Sequence, residues 1–261
     1  MGTEKIKGLK KALGQNFLIN EMIAVKIVEY LVCDKASILL EIGCGKGALT
    51  RFLYEQQYKE YHIVELDDRW AKFIKEEFGA RKKGITIFNQ DILEYRPLSG
   101  NTYQVIGNIP YNITYLILEK MFSMHECLGQ VVLLVQDEVA VKLGKRSGSD
   151  YGPISVMTQL LFDVSLGLKV GPQEFYPQPR VNSRIIILKK KSTLLCSKSI
   201  PEFKKFLGYL FSHPRKKIKH QTMPDNLKKK MTAEIPEILE KRAQELSPEE
   251  IFSVYVRLVK S

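Results

Sequence analysis

The chain has 261 residues, 44% of them apolar and 26% charged, the proportions of an ordinary folded protein rather than a fibrous repeat or a long disordered polymer. Its formal net charge of +11 is concentrated at one end: residues 189–261 hold 17 Lys and Arg against 8 Asp and Glu, which points to a polyanionic partner. Cys33, Cys44, Cys127 and Cys196 form no Cys-x-x-Cys pair and have no His at ligand spacing, so no metal site and no disulfide framework is expected, and the lack of an apolar span or secretion segment leads to the expectation of a reducing cytoplasm.

In chain order, Lys10 to Leu18 is a basic segment with a polar turn. From Ser37 to Leu188, short apolar runs then alternate with amphipathic stretches. The runs are Ile38-Leu39-Leu40, His62-Ile63-Val64, Ile85 to Phe88, Val105-Ile106, Val131 to Val135 and Arg184 to Leu188; Asp68 to Phe78 and Thr114 to Phe122 place apolar residues at three- and four-residue spacing. This predicts an α/β fold with a mostly parallel sheet and crossover helices. Pro172, Pro177 and Pro179 mark an extended loop before the last strand. Beyond it, Phe203, Phe206, Leu207, Leu210 and Phe211 recur at helical spacing, and Ser247-Pro248-Glu249-Glu250 predicts a capping box that opens a helix with Ile251, Val254, Tyr255 and Leu258 inward. The reading is therefore an α/β domain over 1–190 and a small, basic, all-helical domain over 191–261.

The strand at Ile38 to Ile42 runs into Gly43-Cys44-Gly45-Lys46-Gly47, a turn that lets a ligand approach the main chain closely. Its spacing differs from the dinucleotide fingerprint, so a nucleotide-like ligand without phosphates fits better. Glu65 ends the next strand, about twenty residues on, where a carboxylate can accept from both ribose hydroxyls. Asp91 follows the strand at Ile85 to Phe88 and offers an acceptor for an adenine amine, with Ile92 beside it to cover the ring. Either carboxylate alone serves equally as a helix cap; three strand ends in this order address one adenosyl group.

Gly107-Asn108-Ile109-Pro110-Tyr111 lies at the next strand end. The Asn108 side-chain carbonyl and the Ile109 main-chain carbonyl can each accept one hydrogen of an exocyclic adenine amine, aiming the nitrogen lone pair at a methyl donor. Pro110 stiffens the loop and Tyr111 is placed to stack on a flipped base. An activated sulfonium donor needs no strong general base, so orientation and electrostatics carry the chemistry.

On these residues the sequence resembles the KsgA-type ribosomal RNA adenine dimethyltransferases and their Erm relatives, from Lys10 nearly to the C-terminus. The resemblance implies a Rossmann-like, seven-stranded class I methyltransferase sheet with a C-terminal helical domain. It implies S-adenosylmethionine as cofactor, with Asn16, Leu18, Glu41, Gly43, Gly45, Glu65, Leu66, Asp91, Ile92 and Asn108 toward it, and Asn108, Ile109, Pro110 and Tyr111 around the target. Phe175, which leads Phe175-Tyr176-Pro177-Gln178-Pro179-Arg180-Val181-Asn182-Ser183, is similar to a family Phe that stacks on the adenine opposite Tyr111. Cys44 and Lys46 depart from the family pattern, which more often has proline and a small or apolar residue there.

Two segments favour the KsgA type over the Erm type: Tyr151-Gly152-Pro153-Ile154-Ser155-Val156-Met157, and Phe211-Ser212-His213-Pro214-Arg215-Lys216-Lys217, the latter departing at Pro214. The implied activity is dimethylation of two adjacent adenosines in the 3'-terminal hairpin loop of 16S ribosomal RNA, by a monomer acting on small-subunit RNA or a maturing small subunit. Arg215, Lys216, Lys217 and Lys219 are expected on RNA phosphates. The alternatives are an Erm-type enzyme of the large subunit, a ribosome-assembly or RNA-binding factor whose methylation is secondary or lost, and a DNA adenine methyltransferase.

Overall fold

The computed structural model describes residues 15–79 and 84–260; Lys10 to Gly14 of the N-terminal element lie outside the described residues. Contacts divide the chain into two compact units, the first comprising the chain to Met121, Cys127–Asp137 and Leu166–Leu188, the second Phe122–Glu126, Glu138–Ser165 and the chain from Lys189.

The first unit is built on parallel strands whose carboxyl ends carry the motifs. β1 (Phe17–Leu18) and α1 (Glu21–Glu29) precede β2 (Ile38–Ile42), and the short α2 (Thr50–Leu53) leads to β3 (Glu60–Val64). α3 (Asp68–Ile74), β4 (Ile85–Phe88), β5 (Tyr103–Asn108), α4 (Thr114–Met124) and β6 (Leu128–Gln136) follow. β2 pairs in parallel with β3 and β5, β3 with β4, and β5 with β6. Every residue of β2 is buried, which explains its continuous apolar run: a strand covered on both faces has no solvent side to alternate with. Leu39, Ile63, Ile106, Val132 and Leu134 share one core with Ile27 and Val28 of α1.

The sheet is completed by β7 (Phe162–Val170) and β9 (Ser183–Lys190), giving seven strands in the order β4-β3-β2-β5-β6-β9-β7. The apolar runs pointed to six of these strands and missed β7. Apart from its two ends it is largely exposed, and its Phe-Asp-Val-Ser-Leu-Gly-Leu-Lys-Val run lacks a buried stripe because it is an edge strand. Between β7 and β9, β8 (Phe175–Tyr176) pairs antiparallel with β1 in a separate two-stranded sheet, Phe17 opposite Tyr176 and Leu18 opposite Phe175.

The second unit contains α5 (Asp137–Gly144) from Glu138 on, α6 (Pro153–Leu161), α7 (Ile200–Leu210), α8 (Asp225–Glu234) and α9 (Pro248–Lys260). α6 packs on α7 and α9; it is buried from Ser155 through Leu161, so it needs the C-terminal helices as cover. Phe203, Phe206, Leu207, Leu210 and Phe211 are buried, as are Ile251, Val254, Tyr255 and Leu258. The capping box is formed in both directions, Glu250 N donating to Ser247 Oγ at 3.1 Å and Ser247 N to Glu250 Oε2 at 2.8 Å.

Candidate active site

A cleft of about 320 Å³ opens at the carboxyl ends of β2, β3, β4 and β5 and is lined by residues 15–18, the glycine turn, Glu65-Leu66, Gln90 to Leu93 and the loop from Asn108. Ligands of parallel sheets lie at this edge because the strand ends and the helix starts that follow expose main-chain groups there. Gly43, Gly45 and Gly47 all have positive φ, at 70°, 49° and 78°, a conformation that side chains with a Cβ rarely adopt. A Cβ at Gly43 would meet nothing within 4 Å, whereas one at Gly45 would come within 3.0 Å of Phe17 Cε1.

Glu65 is buried and braces this turn: Oε2 accepts from Gly45 N at 2.9 Å and Oε1 from Asp67 N at 2.9 Å. A carboxylate has about four acceptor positions, so capacity remains for a ligand's hydroxyls. Asp91 Oδ1 accepts from Leu93 N at 2.9 Å, which curls the loop so that Ile92, 5% exposed, and the exposed Leu66 provide apolar walls. Lys120 of α4, buried, donates Nζ to the carbonyls of Leu93 and Tyr95 at 3.1 and 2.5 Å and so supports the same loop. Burial pushes its pKa down; the helical spacing that marked α4 gives no sign of this role.

Glu41 also reaches the cleft but is spoken for from behind. It is 1% exposed and accepts hydrogen bonds from the Tyr61 hydroxyl and from Thr50 Oγ1, the latter at 2.9 and 3.1 Å. Burial outweighs these bonds and raises its pKa to about 7. Cys44, buried beside Glu41 and Glu65, has its thiol pushed far above the ordinary range by the same desolvation.

Asn108 ends β5, half-buried, and its Nδ2 donates to the main-chain carbonyl of Asn16 at 3.0 Å, a contact across 92 positions of sequence. With the amide nitrogen so committed, Oδ1 is the atom left to accept from a ligand. Ile109 is 2% exposed; Pro110 and Tyr111 are half-buried at the rim. The Tyr111 hydroxyl shares a hydrogen bond with the Ser183 hydroxyl, so the last residue of the proline-rich segment holds this loop.

The same segment corrects one expectation. Phe175 is not in the cleft: it is 1% exposed and packed in the core with Leu18, Val170 and Ile185. Its ring belongs to that cluster and is not among the residues that line the cleft, whereas Tyr111 stands at the rim. Asn16 and Leu18 line the cleft, joined by Gln15 and Phe17, which the motifs did not single out.

Among the described residues no group of three or more His, Cys, Asp or Glu could hold a metal ion, and no helix is long and apolar enough to cross a membrane. In the second unit, Tyr151 and Phe211, which open the two segments favouring the KsgA type, meet edge to face at 5.9 Å. Arg215 and Lys216 are exposed. Lys217 and Lys219 both bind Glu240, at 2.9 and 2.8 Å, and hold its carboxyl down at about 2. The basic turn is built on Gln221, 5% exposed. It accepts from Ser212 Oγ and His213 N and donates to the His213 and Lys216 carbonyls; no composition signal marks that residue.

A seven-stranded Rossmann-like sheet with a glycine turn and carboxylates at its strand ends defines an S-adenosylmethionine-dependent class I methyltransferase. The profile of the family described as ribosomal RNA adenine dimethylase matches residues 6–260. The chain is 35% identical over 254 residues to the ribosomal RNA small subunit methyltransferase A of Chlorobium limicola, covering 95% of this chain and 92% of that protein. It is 37% identical over 227 residues to the protein of that name from Francisella tularensis subsp. novicida, covering 84% and 83%. In structure it is similar to a dimethyladenosine transferase from Plasmodium falciparum, with a TM-score of 0.80, 22% identity and coverage of 94% and 98%. It is also similar to the 23S rRNA methyltransferase ErmE, with a TM-score of 0.68, 25% identity and coverage of 94% and 100%. The chain belongs to the ribosomal RNA adenine N6-methyltransferase family.

Proposed function

We propose that this protein transfers methyl groups from S-adenosylmethionine to the N6 amines of two adjacent adenosines in the 3'-terminal hairpin loop of small-subunit ribosomal RNA, giving N6,N6-dimethyladenosine, and that it acts during small-subunit maturation. The observation that carries the reading is the Asn108 amide, whose nitrogen is tied to the Asn16 carbonyl so that its oxygen faces an incoming donor. The small-subunit target is supported by the names of the bacterial relatives, of which the chain covers more than four-fifths.

The cleft fits the cofactor's chemistry: a glycine cradle with open space at Gly43, a buried carboxylate for ribose hydroxyls at Glu65, an acceptor for an adenine amine at Asp91 with Ile92 and Leu66 beside it, and a buried Gln15 Oε1 lacking a partner. When bound, the cofactor supplies an activated methyl group on a sulfonium. Asn108 Oδ1 and the Ile109 carbonyl each accept one hydrogen of the target amine, orienting its lone pair. Pro110 restricts the loop, and Tyr111, fixed through Ser183, stacks on the extruded base. No group with a perturbed pKa is needed as a base, because the amine's proton leaves after the carbon–nitrogen bond has formed. The contribution of the protein is orientation and charge complementarity. Arg215 and Lys216 bind RNA phosphates, with Lys217 and Lys219 exchanging Glu240 for them.

The test is methylation of unmodified small subunits, large-subunit RNA and duplex DNA by the purified protein, with nucleoside analysis. Dimethyladenosine in small-subunit RNA alone is expected. Transfer to large-subunit RNA would assign the Erm-type activity instead, and cofactor binding without any transfer would assign a binding role in assembly.

A further inference from the structure

The carbonyl that receives Asn108 belongs to Asn16, and the next residue, Phe17, has its ring lodged against the glycine turn at Gly45. The strand is fastened on its other side: Ile19 N donates to the Glu174 carbonyl at 2.9 Å, and Asn20 binds Glu174 while capping α1. What braces the ring is Trp70 of α3. The two rings meet edge to face, with centroids 5.5 Å apart and planes at 68°. Lys46 Nζ stands 5.6 Å from the Trp70 centroid and 5.9 Å from that of Phe17, and the Arg69 guanidinium lies 5.9 Å from the Trp70 ring. Edge contacts and cations over ring faces both favour a fixed ring orientation. Trp70 is not among the residues lining the cleft, and its indole Nε1 is buried without a hydrogen-bond partner. Its contribution is therefore ring shape and ring charge.

We propose that Trp70 is a positioning residue for Asn108: by bracing Phe17 on the glycine turn it sets the Asn16 carbonyl, and that carbonyl fixes which way the Asn108 amide faces. The inference rests on the role proposed above for Asn108 Oδ1. Physically, an amide that loses its acceptor is free to turn its nitrogen toward the target amine, presenting donor to donor. Residues 15–18 thus join the cofactor cradle to the group that grips the base, with Trp70 as the outside support.

Two substitutions separate this from ordinary packing. Trp70→Leu removes the ring, whereas Trp70→Phe keeps an aromatic edge while giving up the pyrrole half of the indole, whose N–H has no partner. The first readout is the Asn108 side-chain amide in ¹H–¹⁵N spectra, assigned by its disappearance in Asn108→Asp. The hydrogen-bonded shift and slow exchange of one Nδ2 hydrogen are expected in the wild type, lost in Trp70→Leu and restored in Trp70→Phe. The second is methyl transfer: Trp70→Leu is expected to lower kcat by at least about tenfold while KM for S-adenosylmethionine moves less than about threefold, and Trp70→Phe to recover most of the rate. In an Asn108→Asp background, where the amide donor is already gone, Trp70→Leu should cost less than about twofold more. An unchanged Asn108 amide signal in folded Trp70→Leu, or a Trp70→Phe variant as impaired as Trp70→Leu, overturns the proposal. A wild-type protein that methylates no RNA would refute the activity proposed above, and the amide spectrum would still decide for or against Trp70.

Discussion

Replacing Asn108 by Ala removes two separable interactions. The first is the bond from Nδ2 to the Asn16 carbonyl at 3.0 Å, a half-buried hydrogen bond of the kind that contributes about 0.5–1.5 kcal/mol to stability. That corresponds to a fall in Tm of only a few degrees, since about 1 kcal/mol moves Tm by roughly 2–4 °C in a chain of this size. The second is the acceptor Oδ1, and its loss falls on the transition state. Deleting one preorganised group of this type costs about 10²–10³ in kcat, or ~2.7–4 kcal/mol. Cofactor affinity should stay within about tenfold, because Gly45, Glu65 and Asp91 keep the partners they have in the cleft and a loss confined to the transition state leaves ground-state binding intact. Single-turnover transfer of a radiolabelled methyl group to unmethylated small subunits, at saturating cofactor, measures the rate, and equilibrium dialysis measures the affinity. A rate within about threefold of wild type would refute the assigned role. So would a preserved rate with a large loss of affinity, since Asn108 would then serve the cofactor alone.

Glu65→Gln leaves one of the two main-chain donors, Gly45 N or Asp67 N, facing an amide nitrogen, so the cofactor dissociation constant should rise at least about tenfold with a smaller change in kcat; titration calorimetry checks this. For Glu41, burial raises the folded-state pKa from 4.5 to about 7, so the native state holds the proton more tightly than the unfolded chain does. Its contribution is fully present below about pH 4.5, declines as pH rises and is gone above about 7, a loss of up to about 3 kcal/mol. Glu41→Gln should flatten the fall in stability across that window in urea titrations; a wild-type curve already flat there would contradict the assignment. Removing Arg215 and Lys216 by alanine substitution should reduce the slope of log Kd against log salt by about 0.7–0.9 for each RNA phosphate no longer neutralised, and an unchanged slope would place the RNA elsewhere.

The parts of the site that were legible in sequence are those where chemistry and local geometry coincide. Glycines that need positive φ, carboxylates at strand ends and Asn108-Ile109-Pro110-Tyr111 each announce themselves within a few residues, and the parallel sheet brings them to one edge. What was not legible depends on partners distant in the chain. Phe175 heads a segment that suggests a stacking residue, and only the folded chain buries it among Leu18, Val170 and Ile185. The tie from Asn108 to Asn16 and the support of the basic turn by Gln221 involve ordinary polar residues whose role exists only once the chain has folded. β7 escaped notice because an exposed edge strand need not show an apolar stripe, and α6 belongs with the C-terminal helices because of the face it buries, which a boundary drawn from charge does not register.

Glu240 gives the basic turn an unusual economy. Two ammonium groups that would otherwise repel each other across an open surface are bridged and aimed by a single resident anion. On the RNA-binding role proposed above, an arriving phosphate would exchange with that carboxylate instead of meeting bare charge, so the turn would grip more gently than its count of lysines suggests. A surface already part-quenched in this way favours letting go.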